Sequence, residues 1–265
     1  KRRLNELTNT SEILTVDRAK NIQQDVKLEQ ELLTPYILET VSASNDQGLN
    51  ELGKALETWD FRATVNSRLP VFWNKFMRIL RRNIWDEIPD RGQPSDRFWL
   101  KLIENEPDHP IFDKRSTSQK EDFQALVDQS VKEAFEMAVI ENGNLNSWSW
   151  VTSTIVRPFH FSGLGAFDEL VDYPVSRKGF PGTIQEVKKR NVPFGPVWKM
   201  VVDFSRKPVT GHVMTRGGVS GNSFSRYYYT GFSGSTSGRY FEVTNVSSPQ
   251  DLANDVSTTV MAPVK

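Results

Sequence analysis

Side chains able to do chemistry are sparse and widely separated in this chain of 265 residues. Cysteine is absent, so the sequence offers no thiolate nucleophile, no thiolate metal site and no disulfide. His109, His160 and His212 stand far apart, and none belongs to a His-x-x-x-His pair or a His/Asp group at ligand spacing. A metal site is therefore not expected. His160, between Phe159 and Phe161, reads as a hydrogen-bonded core or strand histidine. Ser220 sits in Gly217-Gly218-Val219-Ser220-Gly221, superficially like a nucleophile elbow. The helix and the acid and histidine partners of such an elbow are missing around it, so Ser220 is not assigned a catalytic role. Asp203 closes an apolar run, where a carboxylate caps a turn rather than serving as a base. There is no P-loop and no G-x-G-x-x-G fingerprint. No catalytic, cofactor-binding or metal-binding residue is named, and no cofactor is expected.

The elements that would position chemistry centre on residues 195–232. Trp198 to Phe204 is rich in Val and aromatics, with Gly195 and Pro196 before it and Pro208 after it. That pattern predicts a buried strand. The glycine-rich turn at 217–221 demands a sharp bend or a close backbone approach. Tyr227, Tyr228 and Tyr229 follow it. A strand delivered into a glycine turn and an aromatic cluster is either a packing corner or the wall of a site.

Composition narrows the class. Lys plus Arg number 33 and Asp plus Glu 33, so no electrostatic case exists for nucleic acid or an anionic membrane. No run reaches the roughly eighteen apolar residues of a membrane-spanning helix. The apolar fraction of 37% is low for a compact domain and fits a piece of something larger, or a chain with a solvated helical half. Lys1-Arg2-Arg3-Leu4-Asn5 lacks the apolar stretch of a signal peptide and is expected to be the middle of a longer chain. Asn9-Thr10-Ser11 and Asn245-Val246-Ser247 match the glycosylation pattern, which is short enough to recur by chance.

Along the chain, Thr15 and Asp17 open an amphipathic helix expected over 15–33 and broken by Pro35. A short apolar run, Tyr36 to Val41, follows. Asn45 to Gly48 is a turn and cap, after which Leu49, Leu52, Leu56 and Trp59 repeat at helical spacing. Val71, Phe72, Phe76, Met77 and Leu80 form another helical face, which requires Pro70 in its first turn. The basic cluster Arg78 to Arg82 reads as a solvated face. Residues 87–118 form a long connection with one short helix at Phe98 to Glu104, either a packed surface excursion or a lid. A helix is expected over 116–142, closed by Asn142-Gly143. After residue 145 the types turn β-favouring, including Trp148 and Trp150, with strands at 183–187, 198–204 and 209–214 and a last short helix at 249–256. The fold class is α+β: a helical segment, 1–145, packed on a β-rich segment, 146–265.

Several stretches together resemble the penicillin acylase (penicillin amidase) family. Thr15-Val16-Asp17 followed by Ile22-Gln23-Gln24-Asp25-Val26 resembles its "T-x-E-D-x-x-x-I-Q-x-D" segment. Trp59-Asp60-Phe61 resembles "L-x-x-W-D-G", with Phe61 where glycine is usual. Trp148-Ser149-Trp150, Phe159 to Gly165 and Pro181-Gly182-Thr183-Ile184 resemble "W-x-W-G-x-x-H…F-x-H-P-L-G" and "G-x-x-x-T-V". Gly195 to Asp203 and Gly217 to Gly221 resemble "G-x-x-W/Y-R-M-V-V-D" and "GGQSG", with Lys199 replacing the usual Arg. Arg226 to Phe232 departs from the family's "Y-x-D-Q" and following Trp.

The resemblance implies an N-terminal nucleophile hydrolase whose free amino-terminal Ser attacks a linear amide, its own α-amine acting as base. The family's nucleophile and oxyanion Asn lie upstream of every motif matched, and Lys1 offers no nucleophilic side chain. The chain is thus expected to be the later part of the β-subunit of an αββα sandwich, inactive alone. Its expected partners are the missing upstream part (α-subunit and N-terminal part of the β-subunit) and, in the intact enzyme, a small-molecule amide such as an N-acylated β-lactam nucleus or an acyl-homoserine lactone. Export to the periplasm or secretion is implied by the same resemblance. The alternative is a non-catalytic interaction or scaffold protein that retains part of the fold.

Overall fold

Short side chains set the helix starts. In the computed structural model, Thr15, Asp46 and Asp122 each accept a backbone N–H from the following turn, at 3.2, 2.9 and 2.8 Å. These bonds satisfy donors that a helix leaves orphaned at its N-terminus. The structure describes residues 2–28, 31–64, 66–89, 92–150, 198–215 and 238–244, with 225, 227 and 231. Among these lie seven α-helices and one antiparallel three-stranded sheet, a mixed α+β content. The chain divides into two compact units, one of residues 1–25 with 196–265 and one of residues 26–195.

The larger unit is helical in its described part: α3 (Thr34–Ser42), α4 (Gln47–Glu57), α5 (Leu69–Ile84), α6 (Asp96–Asn105) and α7 (Phe123–Asn142). Pro35 and Pro70 lie in the first turns of α3 and α5, where a missing N–H costs nothing. Pro35 therefore opens a helix rather than merely ending one. The most extensive pairing is α5 on α7. Leu126, Ser130, Ala134 and Ala138 recur along one side of α7 and are fully buried. Their small members let α5 approach closely with Phe72, Trp73, Phe76 and Leu80, all fully buried. Inside this contact Asn83 donates to Ser130, whose hydroxyl donates to the Leu126 carbonyl. The basic cluster on α5 is not simply a solvated face. Arg81 makes a forked bond to Asp96 (Nε–Oδ1 2.7 Å), and Arg82 reaches Glu133 at 2.6 Å.

The stretch 87–118 is a packed excursion. Trp99 and Ile103 of α6, and Phe112 in a 3-10 turn at Pro110–Phe112, are buried in the same core. The expected helices at 15–33 and 116–142 are both shorter than their periodicity suggested. The first, α2 (Val16–Gln23), stops because Val26 and Leu28 turn away to bond residues 61–63. The second starts only at Phe123, because Asp122 takes the cap position. Trp148 and Trp150 are not in a strand. Gly143, at φ 76°, turns the chain back so that the Trp148 indole donates to the Gly143 carbonyl at 2.8 Å. Trp150 is buried nearby, and its backbone N–H donates to the Ser67 carbonyl at 2.9 Å.

Phe61 adopts φ 58°, the left-handed region that side chains avoid. Its ring is buried against Trp59 and Trp73, with centroids 4.6 and 5.4 Å away. Its carbonyl accepts from Leu28 N–H at 2.8 Å. Packing holds a backbone conformation that glycine would adopt without strain.

In the smaller unit, α1 (Arg2–Thr8) and α2 precede β1 (Trp198–Asp203), β2 (Thr210–Thr215) and β3 (Phe241–Thr244). The strands lie in that order, all antiparallel, with Met200 opposite Val213 and Val213 opposite Phe241. β1 is a sheet edge among the described residues, not the buried strand its composition suggested: Trp198 is 58% and Met200 49% exposed.

Candidate functional site

The C-terminal end of α2 and the strand β1 meet, and their residues come from the Ile22-Gln23-Gln24-Asp25 and Trp198 to Asp203 stretches. Gln23 is the hub. Its side-chain amide donates to the Met200 carbonyl at 3.0 Å, across 177 residues of sequence. Its side-chain oxygen accepts from the Tyr240 hydroxyl at 2.8 Å, and its backbone carbonyl accepts from the Lys199 ammonium at 2.8 Å. The Lys20 ammonium lies 5.7 Å from the centre of the Tyr240 ring, within cation–π range. Burial pushes the Tyr240 hydroxyl pKa up, so it stays a neutral donor at neutral pH. Asp25 receives a forked bond from Arg3, at 2.7 and 3.3 Å, and that bond raises the Arg3 pKa further.

Both stretches are among those whose motifs were matched in the sequence. A family model, penicillin amidase, matches residues 1–248. The chain belongs to the penicillin amidase family. No curated protein matches it. Membership makes the chain part of a family of amide-bond hydrolases. Sequence reasoning quoted Gln23 only as part of a motif and missed Tyr240 altogether. The motif spelling was the available signal for Gln23, and nothing local marks Tyr240.

Among the described residues, the other candidates do not assemble with this contact into a catalytic group. Asp203 accepts both the Ser205 N–H, at 2.9 Å, and the Ser205 hydroxyl, at 2.6 Å, with Arg206 at 3.3 Å. The Ser205 hydroxyl, then its N–H, hold the Asp203 carboxyl below the usual carboxylate range. A carboxylate so bound caps a turn and is a poor base at neutral pH. His109 caps the 3-10 turn, its Nδ1 accepting the Ile111 N–H at 3.1 Å. His212 lies on β2, opposite Val201. Among the described residues no group of three His, Asp or Glu side chains could hold a metal. No helix described is long and apolar enough to cross a membrane. Ser220, the glycine turn, His160, and the expected strand at 183–187 and helix at 249–256 lie outside the described residues. A shallow groove of about 590 Å³ between α3 and α4 contains Ser42, whose hydroxyl is committed to the Glu39 carbonyl.

Proposed function

We propose that this chain is the later part of the β-subunit of a penicillin acylase-like amidohydrolase, structurally supportive and without a nucleophile of its own. The observation that carries the reading is the joining of Gln23 to β1, which brings two family stretches into one contact. Both are stretches that lie downstream of the nucleophile in the resembling enzymes. The helical segment, 1–145, and the β-rich segment, 146–265, then complete one side of an αββα sandwich. The upstream part of the same protein supplies the other side and the reactive amino-terminal Ser. In the intact enzyme that Ser attacks the carbonyl of a linear amide, its α-amine takes the hydroxyl proton and returns it to the leaving amine, and water hydrolyses the acyl-enzyme. The substrates are N-acylated amines such as a β-lactam nucleus or an acyl-homoserine lactone.

The test uses the purified chain and a chromogenic phenylacetyl amide. No turnover is expected from the chain alone, and turnover is expected when it is co-expressed with an upstream amidase segment carrying the N-terminal Ser. Turnover by the chain alone that Ser220→Ala abolishes would make Ser220 the nucleophile. Turnover that survives Ser220→Ala would reveal a different nucleophile. Co-expression that yields a stable, inactive complex would favour a scaffold role.

A further inference from the structure

The C-terminal end of α7 carries two neighbouring residues that can react with each other. Asn142 is the only asparagine of the chain followed by glycine. Glycine has no Cβ beside its nitrogen, so that nitrogen can approach the preceding side-chain carbonyl closely. The pair lies at the surface, Gly143 exposed and Asn142 half-buried. A Cβ at Gly143 would meet nothing nearer than the Ser147 hydroxyl at 3.5 Å, so water has access. Hydrogen bonds hold the reacting groups apart. The Gly143 N–H donates to the Val139 carbonyl at 2.8 Å, closing the last turn of α7. The Asn142 side-chain amide donates to the Ala138 carbonyl at 3.3 Å. The Gly143 carbonyl accepts from the indole of Trp148, which is buried against Phe135. These bonds occupy the attacking nitrogen and the side chain it would attack, and they last only while the turn is closed. Helix ends open more readily than helix centres.

We propose that Asn142 and Gly143 form a self-modification site, at which the asparagine converts to isoaspartate and aspartate whenever the last turn of α7 opens. In the open form the Gly143 nitrogen attacks the Asn142 side-chain carbonyl carbon. A C–N bond forms, closing a cyclic imide, and the bond to the side-chain nitrogen breaks. That nitrogen leaves as ammonia, carrying the former Gly143 amide proton. Water then adds to either ring carbonyl and restores the Gly143 N–H. Opening at the main-chain carbonyl leaves isoaspartate, with the chain routed through the former side chain. Opening at the other carbonyl leaves aspartate. Water is the only co-reactant. Both products place a carboxylate at the C-terminal end of α7, where the helix dipole disfavours negative charge. Glu141 is adjacent and already takes the Lys75 ammonium as its partner. Isoaspartate also lengthens the backbone before Gly143, so the Gly143 N–H falls out of register with the Val139 carbonyl. The change therefore keeps the turn open and loosens the anchor at Trp148.

The experiment is incubation of the full chain in mildly alkaline buffer, both folded and in urea, followed by enzymatic methylation of isoaspartate and peptide mapping. Label is expected on the peptide that holds Asn142, arriving more slowly in the folded chain than in urea. Asn142→Gln keeps the side-chain amide but would have to close a larger, slower-forming ring, so the label on that peptide should vanish. Trp148→Phe removes the indole donor and should speed labelling of the folded chain about two- to tenfold, the range implied by the loss of one hydrogen bond. A folded chain that gains no label on this peptide, or label that persists in Asn142→Gln, would overturn the site. Equal rates in the folded chain and in urea would overturn the control by α7. That comparison and Asn142→Gln decide even where Trp148→Phe fails to fold.

Discussion

Replacing Phe61 tests whether tertiary packing holds a strained backbone. The residue sits at φ 58° and is 9% exposed, within the Trp59 and Trp73 cluster. Removing a buried phenyl ring costs about 3–5 kcal/mol, whichever small residue replaces it. The two smallest replacements then differ only in backbone terms. Alanine keeps a left-handed strain of about 1–2 kcal/mol. Glycine removes that strain and gives back about 0.5–1 kcal/mol through its freer unfolded chain. Phe61→Gly should therefore be more stable than Phe61→Ala by about 0.5–1 kcal/mol, although both are well below the parent. At an ordinary φ the order reverses, with alanine ahead by a similar amount. The assay is urea unfolding followed by tryptophan fluorescence, which the neighbouring Trp59 and Trp73 should report. Comparable slopes for the two variants would license comparing midpoints. Phe61→Ala unfolding at higher urea than Phe61→Gly would refute the reasoning.

Other expectations follow from the contacts already described. Ser130→Ala leaves the buried Asn83 amide without its acceptor and should cost about 1–3 kcal/mol in thermal or urea unfolding. Asp96→Asn breaks the fork from Arg81 and weakens the acceptor of the Trp99 indole, so α6 should loosen. A loss of about 1–3 kcal/mol is expected, with faster amide exchange over α6 than over α7. The folded pKa of Asp203 is depressed by Ser205, so that interaction contributes above the unfolded pKa and is lost as pH falls through the lowered folded value. Ser205→Ala should move the Asp203 carboxyl midpoint up toward the ordinary range in an NMR titration, and an unchanged midpoint would contradict the capping assignment.

Where the local pattern and the tertiary demand agreed, the fold was legible. The apolar periodicities around Leu49 to Leu56, Val71 to Leu80 and Phe123 to Ala138 became α4, α5 and α7, because their apolar faces had one another to bury. Boundaries were less legible, since Val26 continues the periodicity of α2 but, with Leu28, bonds to the Phe61 loop instead. Trp148 and Trp150 have strand-favouring side chains, yet the left-handed Gly143 decides their path. The basic residues of α5 gave no sign of partners because Asp96 and Glu133 lie on other helices. The candidate site was readable only as two motifs. Their meeting depends on one glutamine side chain and a backbone carbonyl, and Tyr240 joins through a hydroxyl that no spacing rule anticipates.

The smaller unit is discontinuous: residues 1–25 belong with residues 196–265, and the larger unit is inserted between them. On a ribosome its first helices emerge early, yet the strand that receives Gln23 is made only after the whole insertion. The opening segment must therefore wait, exposed to solvent or chaperone, while the helical insert is free to fold first. The closure of so long a loop favours slow completion of the smaller unit. A stalled chain ending before residue 196 should thus hold a formed α5–α7 pair and an unpartnered α2.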